Sequence, residues 1–554
     1  MEDKIKIYCL NTGEYMEARG GESLLELASR LRDRLGFEPV CAHVNNKTEG
    51  LHYRLYAPKD VEFLTLTADS SQRAYVRSLC MILYRAVTRL YPGARLCVEH
   101  SVSRGYYCQI HGAGKNVSAT ELETEMRRIV DADLPFVFHE ERTTEVTEIF
   151  RRQGLEDRVR LIGTVHNPYT TYYTLDGIAD MYYGCLVPRT GMVDVFALTP
   201  YKEGFLLRAF DIRNPAVPPQ PVTQEKMFKA FTDYVSFNKV LGVSNVGELN
   251  TVVDQGRAES LINVAEALHD RYLGHISDEI SRRYHNGGAR IVLIAGPSSS
   301  GKTTTSKRLA IQLMTNLMKP LTISLDNYFV NRDRTPRDSE GDYDYESLYA
   351  LDLEQFNRDL NALIDGKEVR LPTYSFETGT RLYKDDPVRL EPGEILIVEG
   401  IHGLNPELTA DIPDEQKFRV YVSALTTLAI DDHNWVPTTD NRLLRRIIRD
   451  YKYRGTGALD TLRRWPKVRA GEERWIFPYQ ENADATFNSS LLFELGVMRD
   501  YAEEILSRVP SDVPEYATAY RLRKFLSYFR PIPVNAVPPT SLLREFLGGS
   551  SFHY

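Results

Sequence analysis

A chain of 554 residues exceeds what one hydrophobic core usually organises, so two to four domains are expected. Its 42% apolar and 26% charged residues are ordinary for a globular protein, and a formal net charge of −8 offers no general attraction for nucleic acid or an anionic membrane. There is no apolar run long enough for a transmembrane helix, no signal-peptide pattern at Met1-Glu-Asp-Lys-Ile-Lys, and no C-x-x-C or disulfide framework among the six cysteines, so a reducing cytoplasm is the expected location.

In chain order, residues 1–66 alternate like a small β-grasp unit. Lys4–Leu10 reads as a strand, Asn11-Thr-Gly13 as a turn, Ser23–Leu35 as a helix, and Cys41–Val44 and Val61–Leu66 as further strands. Residues 67–214 read as an α+β unit with helices over Gln72–Tyr91 and Ser118–Val130. Pro92-Gly93 stops the first, and Ser118 caps the second with Glu121 three residues on. The proline-rich stretch Asn214-Pro-Ala-Val-Pro-Pro-Gln-Pro221 marks a boundary, and residues 215–288 read as a helical connector. From residue 289 to 554 an α/β domain is expected, because Arg290-Ile-Val-Leu-Ile-Ala295 is a short apolar run entering a glycine turn. The whole is a multidomain chain of α/β and α+β class.

The turn is Gly296-Pro-Ser-Ser-Ser-Gly-Lys-Thr303, which meets the pattern G-x-x-x-x-G-K-[ST] between a strand and a helix over Thr303–Met314. Glycines let backbone N–H groups close around phosphate oxygens, and the helix adds its positive end. Gly296, Pro297, Ser298, Ser299, Ser300, Gly301, Lys302, Thr303 and Thr304 are therefore the candidate ATP-binding residues, with Lys302 on the phosphates and the Thr303 hydroxyl on Mg²⁺. A second strand, Leu321–Leu325, ends in Asp326, and a third, Ile395–Val398, ends in Glu399. Carboxylates at such strand ends face the ligand crevice and can take a proton or support the metal. The arginine-rich run Asn441–Arg454 reads as a helix able to close over ATP and stabilise charge on the transferring phosphoryl.

From about Ile291 to the C-terminus these motifs resemble the uridine kinase and phosphoribulokinase family. The resemblance implies a parallel-sheet kinase using ATP and Mg²⁺, with Asp326 of Ser324-Leu-Asp-Asn-Tyr328 as the base that activates a nucleoside hydroxyl and Glu399 and Thr303 beside the metal. It implies Tyr328, Asp344, Tyr374 and Phe376 as acceptor contacts, the last two in Pro372-Thr-Tyr-Ser-Phe376, and Arg446, Arg449 and Arg454 as lid residues. The ending Pro538-Pro-Thr-Ser-Leu-Leu-Arg-Glu-Phe-Leu-Gly-Gly549 resembles a tail of a uridine kinase-like subgroup. Two positions depart from the family pattern: Gly379 stands for a base-contacting histidine, and Thr456 for a second lid arginine.

Residues 1–214 resemble the N-terminal half of threonyl-tRNA synthetase, a ubiquitin-like module followed by an editing-type domain. Arg89-Leu-Tyr-Pro92, Val117–Phe136 and Asp180–Gly191 carry this likeness. The family's editing His, His, Cys and His fall on Arg77, Met81, Tyr182 and Leu186, so editing is not expected. The 5′-hydroxyl of a pyrimidine nucleoside of the uridine or cytidine type is the expected acceptor. The alternatives are another nucleoside such as thymidine, a sugar alcohol, or an ATP-responsive RNA-binding regulator, the last without support from net charge; a homo-oligomer is compatible with the family, and zinc is not expected.

Overall fold

The computed structural model describes residues 4–114, 116–383 and 385–553. At the N-terminus, strands Glu14–Arg19, Lys4–Cys9, Asp60–Leu64, Cys41–Val44 and Lys47–Glu49 lie side by side in that order. Lys4–Cys9 runs parallel to Asp60–Leu64 and the remaining neighbours are antiparallel, which is the β-grasp arrangement. Helix Leu24–Arg30 crosses the sheet behind a capping box: the Glu26 N–H donates to the Ser23 hydroxyl at 3.2 Å and the Ser23 N–H donates to Glu26 at 2.7 Å. The expected helix over Ser23–Leu35 breaks at Leu31 into two pieces, the second ending at Gly36 in the left-handed region.

The next unit sets helices Asp69–Leu90 and Ala119–Asp131 against an antiparallel sheet ordered Ala197–Tyr201, Gly204–Arg208, Gly105–His111, Arg95–Val102. Ser118 caps the second helix as the sequence suggests. A smaller sheet, Val137–Arg142, Tyr169–Leu175 and Ile178–Asp180, stands beside it.

Helices Glu225–Leu241, Val246–Asp254 and Ala258–His285 follow, and they do more than connect. Arg308 of helix Lys302–Thr315 pairs with Glu266 at 3.0 Å and Asp270 at 2.8 Å, which docks the longest of the three against that helix. The last sheet is fully parallel, ordered Lys319–Ser324, Glu394–Glu399, Ile291–Ala295, Lys417–Ser423, Ala485–Asn488. Ile291–Ala295 is buried along its length at the centre, so the loop that follows it opens at the middle of the sheet's C-terminal edge.

The two halves share a seam with buried charge. The hairpin Ala429–Trp435 reaches from the parallel-sheet half into the N-terminal half, where Asn434 donates to the Met181 carbonyl at 2.9 Å and the Val98 N–H donates to the Asp432 carbonyl at 2.7 Å. Arg158, fully buried, pairs with Asp180 at 2.6 Å, Asp157 at 2.8 Å and Asp431 at 3.4 Å, and His433 meets Asp180 at 2.7 Å. Charges this deep persist only when paired. A single hydrophobic cluster running from Val40 to Leu547 crosses the same seam.

Candidate active site

The loop Gly296–Thr303 is shaped by contacts only glycine permits. A Cβ at Gly296 would stand 1.9 Å from the Val422 carbonyl oxygen of the neighbouring strand, and Gly301 has φ of 83°. Helix Lys302–Thr315 starts immediately after, one residue earlier than expected, so the first-turn N–H groups point into the loop.

Around it stand the groups singled out by sequence. Lys302, Asp326 and Glu399 lie close enough to act on one another's charge, Lys302 favouring and Asp326 opposing the ionisation of Glu399. Burial pushes the Lys302 ammonium below the usual lysine range. Burial first, and then the Asp326 charge, push the Glu399 carboxyl up to about 7, although the Ser324 hydroxyl donates to it at 3.1 Å. Asp326 is reachable by solvent; the surrounding protein raises its carboxyl, while Lys302, Arg454 and Arg449 pull it back. Lys302 Nζ also donates to the Pro297 carbonyl at 3.2 Å.

Helix Thr438–Arg454 packs on the loop Gly296–Thr303. Arg446 donates to the Ser298 hydroxyl at 2.8 Å, Arg442 to the Ser298 carbonyl at 2.9 Å, and Arg445 to the Ser299 carbonyl at 3.4 Å. Arg446, Arg449 and Arg454 all lean on Asp450, at 3.2, 3.0 and 3.4 Å. Arg442 and Arg445 were not among the expected residues, yet Arg442, Arg445, Arg446 and Arg449 follow the i, i+3, i+4, i+7 spacing of one helical face. Both newcomers are buried and held by carboxylates, Arg442 by Glu472 and Arg445 by Glu494. Glu472 also accepts from the Ser298 N–H at 3.0 Å, and Glu346, pushed up to about 7 mainly by burial, feels Arg446 and Lys302. No motif marks these two acids.

On the acceptor side the expected residues divide. Tyr328 is fully buried, packs on Phe356 with ring centroids 5.0 Å apart and donates to Asp359 at 3.1 Å, so its ring is turned into the core and not toward solvent. Tyr374 is 7% exposed and Phe376 is 52% exposed; they pack edge to face at 5.0 Å, with Phe329 against both. Asp344 accepts from the Glu346 N–H at 3.2 Å. Gly379, at φ of 70°, turns the hairpin after Phe376, and a Cβ there would stand 2.6 Å from Arg332 Nε. The Arg332 guanidinium therefore lies across this position and donates to the Phe376 carbonyl. Thr456 sits past the helix end, its N–H donating to the Asp450 carbonyl at 3.1 Å.

In the N-terminal half, Arg77, Met81, Tyr182 and Leu186 are all buried, and Arg77 donates to the Cys185 carbonyl at 3.1 and 2.8 Å. A cleft of about 400 Å³ lined by Tyr169, Thr170, Met181, Tyr520, Arg523 and Lys524 contains none of the predicted site residues.

Among the described residues no helix is long and apolar enough to cross a membrane. The model of the Phosphoribulokinase / Uridine kinase family matches residues 291–491. The uridine kinase of Halobacterium salinarum is 30% identical over 196 residues, which cover 34% of this chain and 76% of that enzyme. A solved structure of a possible uridine kinase from Bacillus stearothermophilus aligns with 39% of this chain and 98% of its own, at 21% identity and a TM-score of 0.25. The N-terminal region matches the threonine–tRNA ligase of Desulforamulus reducens, 28% identical over 185 residues; the match covers 33% of this chain and 29% of that ligase. The family model and the Halobacterium salinarum enzyme, 30% identical over 76% of its length, show that the chain belongs to the phosphoribulokinase / uridine kinase family, with its kinase region fused behind a threonine–tRNA ligase-like N-terminal region.

Proposed function

We propose that this chain transfers the γ-phosphoryl of ATP to the 5′-hydroxyl of a pyrimidine nucleoside. The observation that carries this reading is the convergence of Lys302, Asp326 and Glu399 beside the phosphate loop, with Arg446 bonded to that loop. In this reading Lys302 and the arginines face the phosphates, Asp326 accepts the proton of the attacking hydroxyl, and Asp344 and the aromatic pair Tyr374 and Phe376 orient the acceptor. The exposed Phe376 ring offers a face on which a flat base can stack.

The donor set suits Mg²⁺: Thr303, Glu399 and Asp326 offer only hard oxygen ligands, and burial together with the Asp326 charge keeps the Glu399 carboxyl raised despite Lys302. Bound there, the ion would neutralise phosphate charge. Protons and metal then compete for Glu399. Because its carboxyl is raised to about 7 in the free chain, it is protonated below that pH and ionised above it, so apparent Mg²⁺ affinity in a titration should fall as pH drops from 8 to 6. A flat profile would detach Glu399 from the metal.

Incubating the protein with labelled ATP and a panel of uridine, cytidine, thymidine and sugar alcohols tests the acceptor directly. Phosphorylation of a non-nucleoside alone would overturn the nucleoside assignment. Asp326→Asn should lower kcat by roughly 10²–10⁴-fold while ATP affinity changes little. Unimpaired turnover would take Asp326 out of the base role.

For the N-terminal region we propose a non-catalytic role as scaffold. In support, the four positions that align with the editing residues are filled by buried Arg77, Met81, Tyr182 and Leu186, none of which can activate water there.

A further inference from the structure

The C-terminal tail ends its course on the phosphate loop. Ser541, Leu542, Leu543 and Phe546 are fully buried, and the Ser551 N–H closes the segment by donating to the Pro539 carbonyl at 3.0 Å. Leu542 lies over Gly301, where a Cβ would stand 2.7 Å from its Cδ2. The short turn Arg544–Leu547 then carries Glu545 over the first turn of helix Lys302–Thr315.

There the Glu545 carboxylate accepts from the Thr304 N–H at 3.2 Å and from the Thr304 hydroxyl at 2.6 Å. Thr304 is the third residue of the helix, so its N–H belongs to the first-turn donors that a helix cannot satisfy internally and that a phosphate loop offers to an anion. Helix caps normally come from the residue just before the helix. Here that residue is Gly301, which has no side chain, and the carboxylate arrives from 241 positions downstream. The tail is also fastened to the arginine helix: Lys452 donates to the Leu547 carbonyl, and the Arg445 guanidinium stands 5.2 Å from the Phe546 ring centre.

We propose that the C-terminal tail is an autoinhibitory strap whose Glu545 carboxylate occupies an anion position that a nucleotide phosphate needs. The proposal rests on the reading of the loop as a nucleotide site. A phosphate and a carboxylate cannot share one N–H donor without like-charge repulsion, so nucleotide entry must lift Glu545 away. The links through Lys452 and Phe546 pass that movement to the helix bearing Arg446, Arg449 and Arg454.

The test uses the full chain and Glu545→Gln, which keeps the shape and an acceptor oxygen but removes the charge. Calorimetric titration with MgATP should give at least about fivefold tighter binding by the variant. In the unaltered chain, ATP should speed amide exchange across residues 541–551. Equal or weaker binding by a variant of unchanged melting temperature would overturn the strap, as would tail exchange that ATP leaves unaltered or slows. ATP binding that is equal in both proteins removes the strap and leaves the nucleotide site standing. An absence of ATP binding in both removes the nucleotide site and the strap together.

Discussion

Lys302→Met is expected to lower kcat/KM for phosphoryl transfer by roughly 10³-fold or more, the scale of removing a preorganised positive group from a transferring phosphoryl. The same substitution should leave the thermal midpoint equal to or above that of the unaltered chain. Lys302 opens the helix that follows the central strand and its loop, at that helix's positive pole. Burial makes its charge costly, and this lowers its ammonium from the usual range despite the Glu399 and Asp326 carboxylates. A lysine lowered in this way makes the folded state bind its proton less readily than the unfolded chain does. At neutral pH the charged group therefore works against folding, and its loss relieves that cost. Steady-state kinetics together with calorimetry separate the cases. A variant that loses both activity and melting temperature would mark Lys302 as structural, and full activity would dismiss the phosphate-loop reading.

The second large effect belongs to the seam. Arg158→Ala should destabilise the chain by about 3–5 kcal/mol, because it strands Asp157, Asp180 and Asp431 in the interior without their shared cation. The sign of its pH dependence follows from the two most affected acids. Arg158 and His433 hold Asp180 well below the usual carboxylate range, so its contribution is present above that range and fades as pH falls through its own low value. Asp431 is raised to about 6 mainly by burial, so its ionised form is already strained above that pH. Without Arg158, acid relieves the stranded carboxylates, and the defect in urea unfolding should be smaller at pH 5 than at pH 8. A defect that does not change with pH would mean that lost packing, not stranded charge, explains it. Activity should fall with stability, since the hairpin Ala429–Trp435 leads directly into the arginine helix.

Some of this was open to reading from the chain alone, because local backbone rules enforce it. The loop Gly296–Thr303 announces itself through two glycines whose positions forbid a side chain or require positive φ, followed by a helix-forming run. The strands leading to Asp326 and Glu399 are legible as short apolar runs, although the first stops at Ser324 and Asp326 stands in the turn Leu325–Tyr328; the cap at Ser118 is legible as a serine with an acid three residues on. Tyr328 misled because a motif gives a residue's neighbourhood but not which way its ring turns; packing on Phe356 took it into the core.

What only the tertiary structure decided are pairings between distant residues. Glu472 meets Ser298 across 174 positions, Glu545 meets Thr304 across 241, and His433 meets Asp180 across 253. No periodicity or turn rule spans such distances, because these contacts exist only after the sheet and its helices have packed. Along the chain Glu472 and Glu545 look like two more acids on helices. In the fold Glu472 accepts from Ser298 within the loop Gly296–Thr303, and Glu545 accepts from Thr304 in the first turn of the helix after it.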